Sequence, residues 1–251
     1  MLRLYDNHAS TNALKVRMLL EELALECERI EVVLDGPKPA DYGVLHPFGL
    51  VPVLTDGDVV LTESNVALRY LAEREGRTDL RGTSPAERAR IDGLLDSLSL
   101  ELRPALWGVE EFAIYGGVAG DESERIAALE AKLAAYDRLL DPDGPWATGA
   151  RFTIADCALG GRALHLPRLP LAPACAPRLR RVLAGLAQRP SFRRATAESD
   201  RERLETSAVR AVGPGRVELM RLDALFEKHR GSTQGASGAS EALDELRDAW
   251  L

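Results

Sequence analysis

The stretch "HPFGLVPVLTDGDVVLTESNVALRYL" (residues 46–71) changes its hydrophobic period part-way along, and that change decides the fold. "VPVLTDGDVVLTE" (51–63) alternates apolar and polar residues around Asp56-Gly57, the pair that a tight turn between two strands needs. "SNVALRYLAEREG" (64–76) then takes helical spacing, with Ala67, Tyr70 and Leu71 on one inward face and Gly76 at the C-terminal cap. A hairpin running straight into a helix is predicted.

Upstream, "MLRLYD" (1–6) alternates through Leu2 and Leu4, and "HASTNALKVRMLLEEL" (8–23) carries the stripe Ala13, Val16, Leu20 and Leu23 with Leu19 beside it. "ERIEVVL" (28–34) returns to period two through Ile30, Val32 and Leu34, and the polar connection "DGPKPADYG" (35–43) follows. Residues 1–78 therefore read β-α-β-(α)-β-β-α, a compact α/β unit.

Downstream, "GRTDLRGT" (76–83) has little apolar content and reads as a linker. Beyond it the pattern is helical throughout. Ser84-Pro85-Ala86-Glu87 is a capping box with proline at the first helical position, and its helix is expected to pass Trp107 toward Tyr115 with a bend at Pro104. Asp121 with Glu124 opens a further helix whose stripe is Ile126, Leu129, Leu133, Tyr136 and Leu140. Thr153-Ile154-Ala155-Asp156 is another box, with Phe152 placed to staple onto Cys157. "PRLRRVLAGLAQRP" (177–190) adds Leu179, Val182, Leu183 and Leu186, so residues 84–200 form an all-α bundle. Residues 201–251 read as a helical extension with the flexible linker "GSTQGASGAS" (231–240), after which Leu243, Leu246 and Trp250 share a face that covers a pocket, grips a partner or frays in solvent.

With 251 residues the chain has room for a full core in two domains, and 45% apolar with 28% charged residues is ordinary globular composition. A net charge of −7 without a basic run argues against nucleic acid as partner. Cys27, Cys157 and Cys175 are odd in number and lack metal-ligand spacing, so neither a disulfide framework nor a metal is expected, and a reducing compartment fits. No stretch approaches the roughly 18 apolar residues of a membrane span, and no leader pattern opens the sequence; a cytoplasmic protein without membrane contact is expected.

Three places carry candidate chemistry. Ser10 lies where the first helix begins, near the positive end of its dipole, where a hydroxyl either donates to an anion or caps the helix; Thr11 and Asn12 are equally suited to capping. Val51-Pro52 opens a strand, either as a cis turn presenting the Val51 main chain to a peptide-like ligand or as an ordinary edge proline. Glu63-Ser64 precedes a helix, where a hydroxyl and free N–H groups bind a carboxylate and Glu63 pairs an ammonium, unless Ser64 merely caps. A hydroxyl donor, a peptide-reading turn and a zwitterion site together describe a pocket for a small peptide thiol.

On these residues the sequence resembles the glutathione S-transferase family over residues 1 to about 200. The 46–71 stretch is similar to that family's glutathione-site block, "FTIADCAL" (152–159) to the capping box of its core bundle helix, and "AQRPSF" (187–192) to the end of its helical domain. The resemblance implies an α+β architecture, a thioredoxin-like domain followed by an all-α domain, usually as a homodimer. It implies that Pro52 is cis, that Val51 pairs with the cysteinyl backbone of glutathione, and that Glu63 and Ser64 hold its γ-glutamyl end. Ser10 matches the catalytic serine of the pattern S-x-x-x-x-[KR]-V, whose hydroxyl stabilises the glutathione thiolate for attack on a small hydrophobic electrophile; Thr11 and Asn12 are alternates.

The electrophile's surroundings are expected from His8 and from Trp107, Glu111 and Tyr115, which share a helical face at i, i+4 and i+8. Trp107 and Tyr115 suit an inter-helix core equally well. Two positions depart from the family pattern: His46 stands where Asn is usual, and Leu50 where a Lys or Arg often meets the glycyl carboxylate. The extension is similar to those on lignin β-etherases and reductive dehalogenases, which makes such specialised chemistry one alternative. A non-catalytic binding or assembly module on the same fold is the other.

Overall fold

The computed structural model describes residues 1–8, 10–33, 37–113, 122–166, 171 and 175–197. The extension 201–251, with the linker 231–240 and Leu243, Leu246 and Trp250, lies outside the described residues, as do Leu34, Tyr115 and Asp121.

The first unit runs β1 (Leu2–Asp6), α1 (Thr11–Leu23), β2 (Glu28–Glu31), α2 (Tyr42–Leu45), β3 (Val53–Asp56), β4 (Val59–Leu61) and α3 (Ser64–Arg74). Its four-stranded sheet has the order β2-β1-β3-β4, with β1 parallel to β2 and the other neighbours antiparallel. Asp56 pairs with Val59, which leaves Gly57 and Asp58 as the hairpin loop; Gly57 takes φ +57° at the first loop position, the left-handed conformation that primed turns require. Gly76 (φ +62°) ends α3 through its N–H to the Glu73 carbonyl. This is a thioredoxin-like mixed sheet with its helices, followed by helices only.

α1 is more deeply embedded than a single apolar stripe allows. Thr11, Ala13, Leu14, Lys15, Val16, Arg17, Met18, Leu19 and Leu20 are all buried, and Leu23 only partly. The sheet covers one side of this helix and a bundle helix covers the other, so polar positions are enclosed along with apolar ones. β2 departs in the opposite direction: as the outer strand it exposes Glu28, Arg29 and Glu31, and full burial begins at Val32, just past its end.

The connection at 76–83 carries a helical turn, α4 (Thr78–Arg81), whose Leu80 is buried and whose Arg81 donates to Glu73 and Asp92. α5 (Pro85–Ser97) begins with Ser84 Oγ accepting from the Glu87 N–H (3.2 Å). The Glu87 carboxylate reaches back to the N–H and Oγ of Thr83 (2.7 and 2.6 Å), so the box closes one residue earlier than the sequence pattern suggests. A π-helical turn, Leu98–Leu102, joins α5 to α6 (Arg103–Ala113) immediately ahead of Pro104. Pro104 has no N–H and its ring crowds the carbonyl four residues back; widening the preceding turn lets the helix continue instead of breaking.

The bundle is completed by α7 (Glu122–Asp137), α8 (Ile154–His165), α9 (Pro177–Gln188) and a helical segment at 190–197. Leu129, Leu133 and Tyr136 of α7 are buried with Leu140 just beyond it, and Leu179, Val182, Leu183 and Leu186 of α9 are buried. The α8 capping box is complete: Asp156 accepts from the Thr153 N–H (2.8 Å) and Oγ (3.1 Å), and also from the Ala147 N–H (2.7 Å). Phe152 packs edge-on to Trp146 at 5.1 Å under the Arg189 guanidinium (3.7 Å), within the same core as Cys157. That core is continuous from Leu4 and Leu54 of the sheet through Leu68 of α3 to Leu159 of α8 and Leu183 of α9.

α8 lies against α1 at Gly160 and Gly161. A Cβ on Gly161 would come within 2.5 Å of Thr11 Cβ, whereas one on Gly93, exposed on α5, would meet nothing within 4 Å. Gly161→Ala is therefore expected to destabilise the fold by about 1–3 kcal/mol through overpacking. Gly93→Ala is expected to stabilise it by up to about 1 kcal/mol through helix propensity. Urea midpoints of the two variants should move in opposite directions from wild type.

Candidate functional site

The strand register brings three loops to one end of the sheet. β1 leaves it at Asp6 toward Ser10; Val53 pairs with Tyr5, so Val51-Pro52 enters beside that exit; Leu61 pairs with Leu54, so Glu63-Ser64 emerges next to both. The places that the sequence scatters over 54 positions of chain, from Ser10 to Ser64, are thus neighbours in space.

The loop bearing Ser10 is held from beneath. Asp6 is buried and accepts from Arg17 at 2.9 and 3.0 Å and from Arg29 at 3.0 Å. The second Arg17 nitrogen reaches the His8 carbonyl (3.2 Å), while Asn7 donates to Glu31 and to the Val32 carbonyl, both at 3.0 Å. Removing either member of this buried pair would strand a charge, so the loop has little freedom. His8 pairs with Glu31 through Nδ1 at 3.3 Å.

The three candidate donors differ sharply. Ser10 is half-buried and is the N-cap of α1: its Oγ accepts from the Ala13 N–H at 3.2 Å, and its own N–H donates to the Asn7 carbonyl at 2.8 Å. Capping uses an oxygen lone pair and leaves the hydroxyl proton for a ligand, so the two roles expected as rivals are compatible. Thr11 is buried and turned toward α8, its Oγ accepting from Arg162 at 2.8 Å. Asn12 is half-buried on the next turn position.

The Val51-Pro52 peptide is cis. The loop before it is braced by Tyr42, which sequence reasoning passed over, and by His46, which it noted as a departure from the family pattern. Tyr42 donates its hydroxyl to the Leu50 carbonyl (2.6 Å), and burial raises its pKa to about 12, so it stays a donor. His46 is buried and its Nδ1 accepts from the Phe48 N–H (3.3 Å), which satisfies a loop amide as its position suggests. Leu50 is 59% exposed. Lys38, exposed, lies along Gly49, its Cε 3.6 Å from where a Gly49 Cβ would sit.

At the start of α3, Ser64 is buried and Glu63 is exposed with extended backbone and no capping bond of its own. Asn65 donates to the Leu95 carbonyl (2.9 Å) and to Ser99 Oγ (3.0 Å) and accepts from Lys15 Nζ (3.1 Å). Lys15 thereby ties the first turns of α1 and α3 together. Burial lowers its pKa to about 7, aided by the cationic Arg162 and Arg103 and opposed by Glu63. On α6, Trp107 is 47% exposed with the Arg103 guanidinium 5.4 Å above its ring, so it is no core residue. Glu111 belongs to α6, but its side chain, like Tyr115, is outside the described set.

A family model for the glutathione S-transferase N-terminal domain matches residues 9–74. Glutathione S-transferase GstB of Escherichia coli strain K12 is 34% identical over 208 residues, covering 77% of this chain and 97% of the relative. The chain belongs to the glutathione S-transferase family. Glutathione S-transferase 3 of Zea mays is 30% identical over 78% of this chain and 93% of its own length. The theta class glutathione S-transferase of Xanthomonas axonopodis pv. citri, solved with glutathione bound, superposes with a TM-score of 0.69 at 27% identity, over 78% of this chain and 96% of that one. Glutathione transferase is accordingly the enzyme class of this chain.

Within this glutathione S-transferase the buried Lys15 has a measurable cost. Its folded pKa lies below the unfolded value, so the folded state binds fewer protons between about pH 7 and 10 and stability rises with pH across that window. Two pH units of that window correspond to about 2–3 kcal/mol. Lys15→Met removes this dependence, and its stability relative to wild type should be more favourable at pH 6 than at pH 9, as read by urea denaturation at both values.

Proposed function

We propose that this glutathione S-transferase binds glutathione across the three loops and activates it as thiolate through the Ser10 hydroxyl. The observation that carries the reading is the convergence of Ser10, Val51-Pro52 and Glu63-Ser64 at one sheet end, with the Ser10 capping bond consuming only a lone pair. The Ser10 O–H donates to the glutathione sulfur and lowers its pKa toward neutrality. The thiolate then attacks an electrophilic carbon: the C–S bond forms and the leaving group departs with its electron pair. No protein thiol takes part. Burial raises the thiol pKa of Cys27, Cys157 and Cys175 alike, so each stays protonated and weakly nucleophilic.

Val51 contacts the cysteinyl backbone in this reading, Ser64 and the α3 N-terminus take the γ-glutamyl carboxylate, and Glu63 takes its ammonium. Lys38, along Gly49, offers the cation that Leu50 lacks for the glycyl carboxylate. Thr11 is set aside as donor because its side chain is buried and turned away toward Arg162 of α8, whereas Ser10 is only half-buried. Trp107 offers a small hydrophobic electrophile an aromatic surface, with His8 in the donor loop; Glu111 and Tyr115 belong to this reading only through their i+4 and i+8 spacing from Trp107 in the sequence. Residues 1–78 form the glutathione-binding unit, 84–200 the all-α unit and 201–251 the extension. A cytoplasmic location accords with three free cysteines, and a detoxifying role with the proposed attack on electrophiles. The hydroxyl and acidic groups at the sheet end weigh against a purely structural module.

Ser10→Ala should lower turnover with a model aryl halide by about 10- to 100-fold, the value of a hydrogen bond to a charged group, while glutathione still binds. Calorimetry showing no glutathione binding to wild type, or unchanged turnover in Ser10→Ala, overturns the reading.

Homodimer formation is part of the proposal. Val44 and Phe48 are each 82% exposed, with Leu50 beside them in the same loop region, an apolar group out of place on a monomer surface. Phe48→Asp is expected to shift the sedimentation profile from dimer toward monomer.

A further inference from the structure

Lys15 is an expensive residue where it stands. Its side chain is 3% exposed, and the charged groups that face it are Arg162 from α8, Arg103 from α6 and Glu63 from the start of α3. The two guanidinium groups repel it, and the one hydrogen bond it makes among the described residues goes to the neutral Oδ1 of Asn65 (3.1 Å). An apolar side chain of the same length would pack there without that cost. Asn65 cannot turn away, because both Leu95 and Ser99 hold its amide nitrogen. The ammonium is thus fixed one residue from Ser64, and its field adds to the positive end of α3. Exposed Glu63 supplies the opposite sign next door. Adjacent positive and negative fields of this kind match a carboxylate and an ammonium carried on one carbon.

We propose that Lys15 is a positioning residue for the amino-acid end of the thiol cosubstrate: its ammonium locks the first turn of α3 through Asn65 and draws the ligand carboxylate to Ser64, leaving the ligand ammonium for Glu63. The inference rests on the binding mode proposed above. Because burial and the neighbouring guanidinium groups bring the Lys15 pKa to about 7, the field fades as pH rises from 6 to 8. A bound carboxylate favours the charged form, so binding near pH 7.5 takes up a proton.

The test is calorimetric titration with S-methylglutathione, whose blocked sulfur removes thiol ionisation, on wild type, Lys15→Arg and Lys15→Met at pH 6 and 8. Lys15→Arg keeps its charge at both values and reports any titration of the ligand itself. Relative to Lys15→Arg, wild type should bind equally at pH 6 and about five- to tenfold more weakly at pH 8. Lys15→Met should be weak at both. Wild-type binding enthalpy at pH 7.5 should vary with the buffer's ionisation enthalpy, and that of Lys15→Arg should not. A wild-type profile parallel to that of Lys15→Arg, or no proton uptake by wild type, overturns the role of Lys15 while leaving the binding site intact. Absence of S-methylglutathione binding to wild type at any pH overturns the site and this inference together.

Discussion

Much of this structure depends on how closely α8 approaches α1. The approach is set by Gly161, where even one added carbon would collide with Thr11. With α8 seated there and the sheet on the other side, α1 buries every one of its first ten residues except Asn12, and the polar groups so enclosed must find partners inside the protein. Thr11 accepts from Arg162, Arg17 donates to Asp6, and Lys15 to Asn65. Ser10, the residue just ahead of this enclosed helix, stays half-exposed with a proton to give.

The same burial shapes the electrostatics. Beneath the donor loop, Asp6 is met by two guanidinium groups, which compensates its charge and fixes the backbone of Asn7 and His8. Beneath the α3 start the balance differs, since burial and the cationic Arg162 and Arg103 act on Lys15 against the opposing Glu63 carboxylate. A compensated anion under one loop makes it rigid; a buried cation under the next underlies the proposed attraction of a ligand carboxylate. Both consequences follow from charge placed where water cannot screen it.

Much of the fold was legible because its signals are local. The Asp56-Gly57 turn, the proline at the first position of α5, the Thr153–Asp156 box and the stripes of α7 and α9 each depend on residues within one or two turns of each other, and each appears as its pattern suggests. Failures of local reading have tertiary causes. Glu87 chose Thr83 over Ser84, Pro104 was absorbed by a π turn, and the apolar alternation of 28–34 reached full burial only at Val32, beyond an outer strand. Tyr42 escaped notice because a tyrosine in a polar loop carries no sign of the carbonyl it will brace.

By itself the sequence determined the order of elements, the family, and the candidate residues Ser10, Val51, Pro52, Glu63 and Ser64, since turn chemistry, capping and periodicity act over short stretches of chain. It favoured Ser10 with Thr11 and Asn12 as alternates, and it gave Lys15 no role beyond a place in a pattern. Only the tertiary structure decided that Thr11 and Lys15 are enclosed, because both lie near α8, whose Arg162 is 151 positions from Thr11. What a hydroxyl or an ammonium can do is set by what surrounds it, and here the surroundings arrive from the far end of the chain.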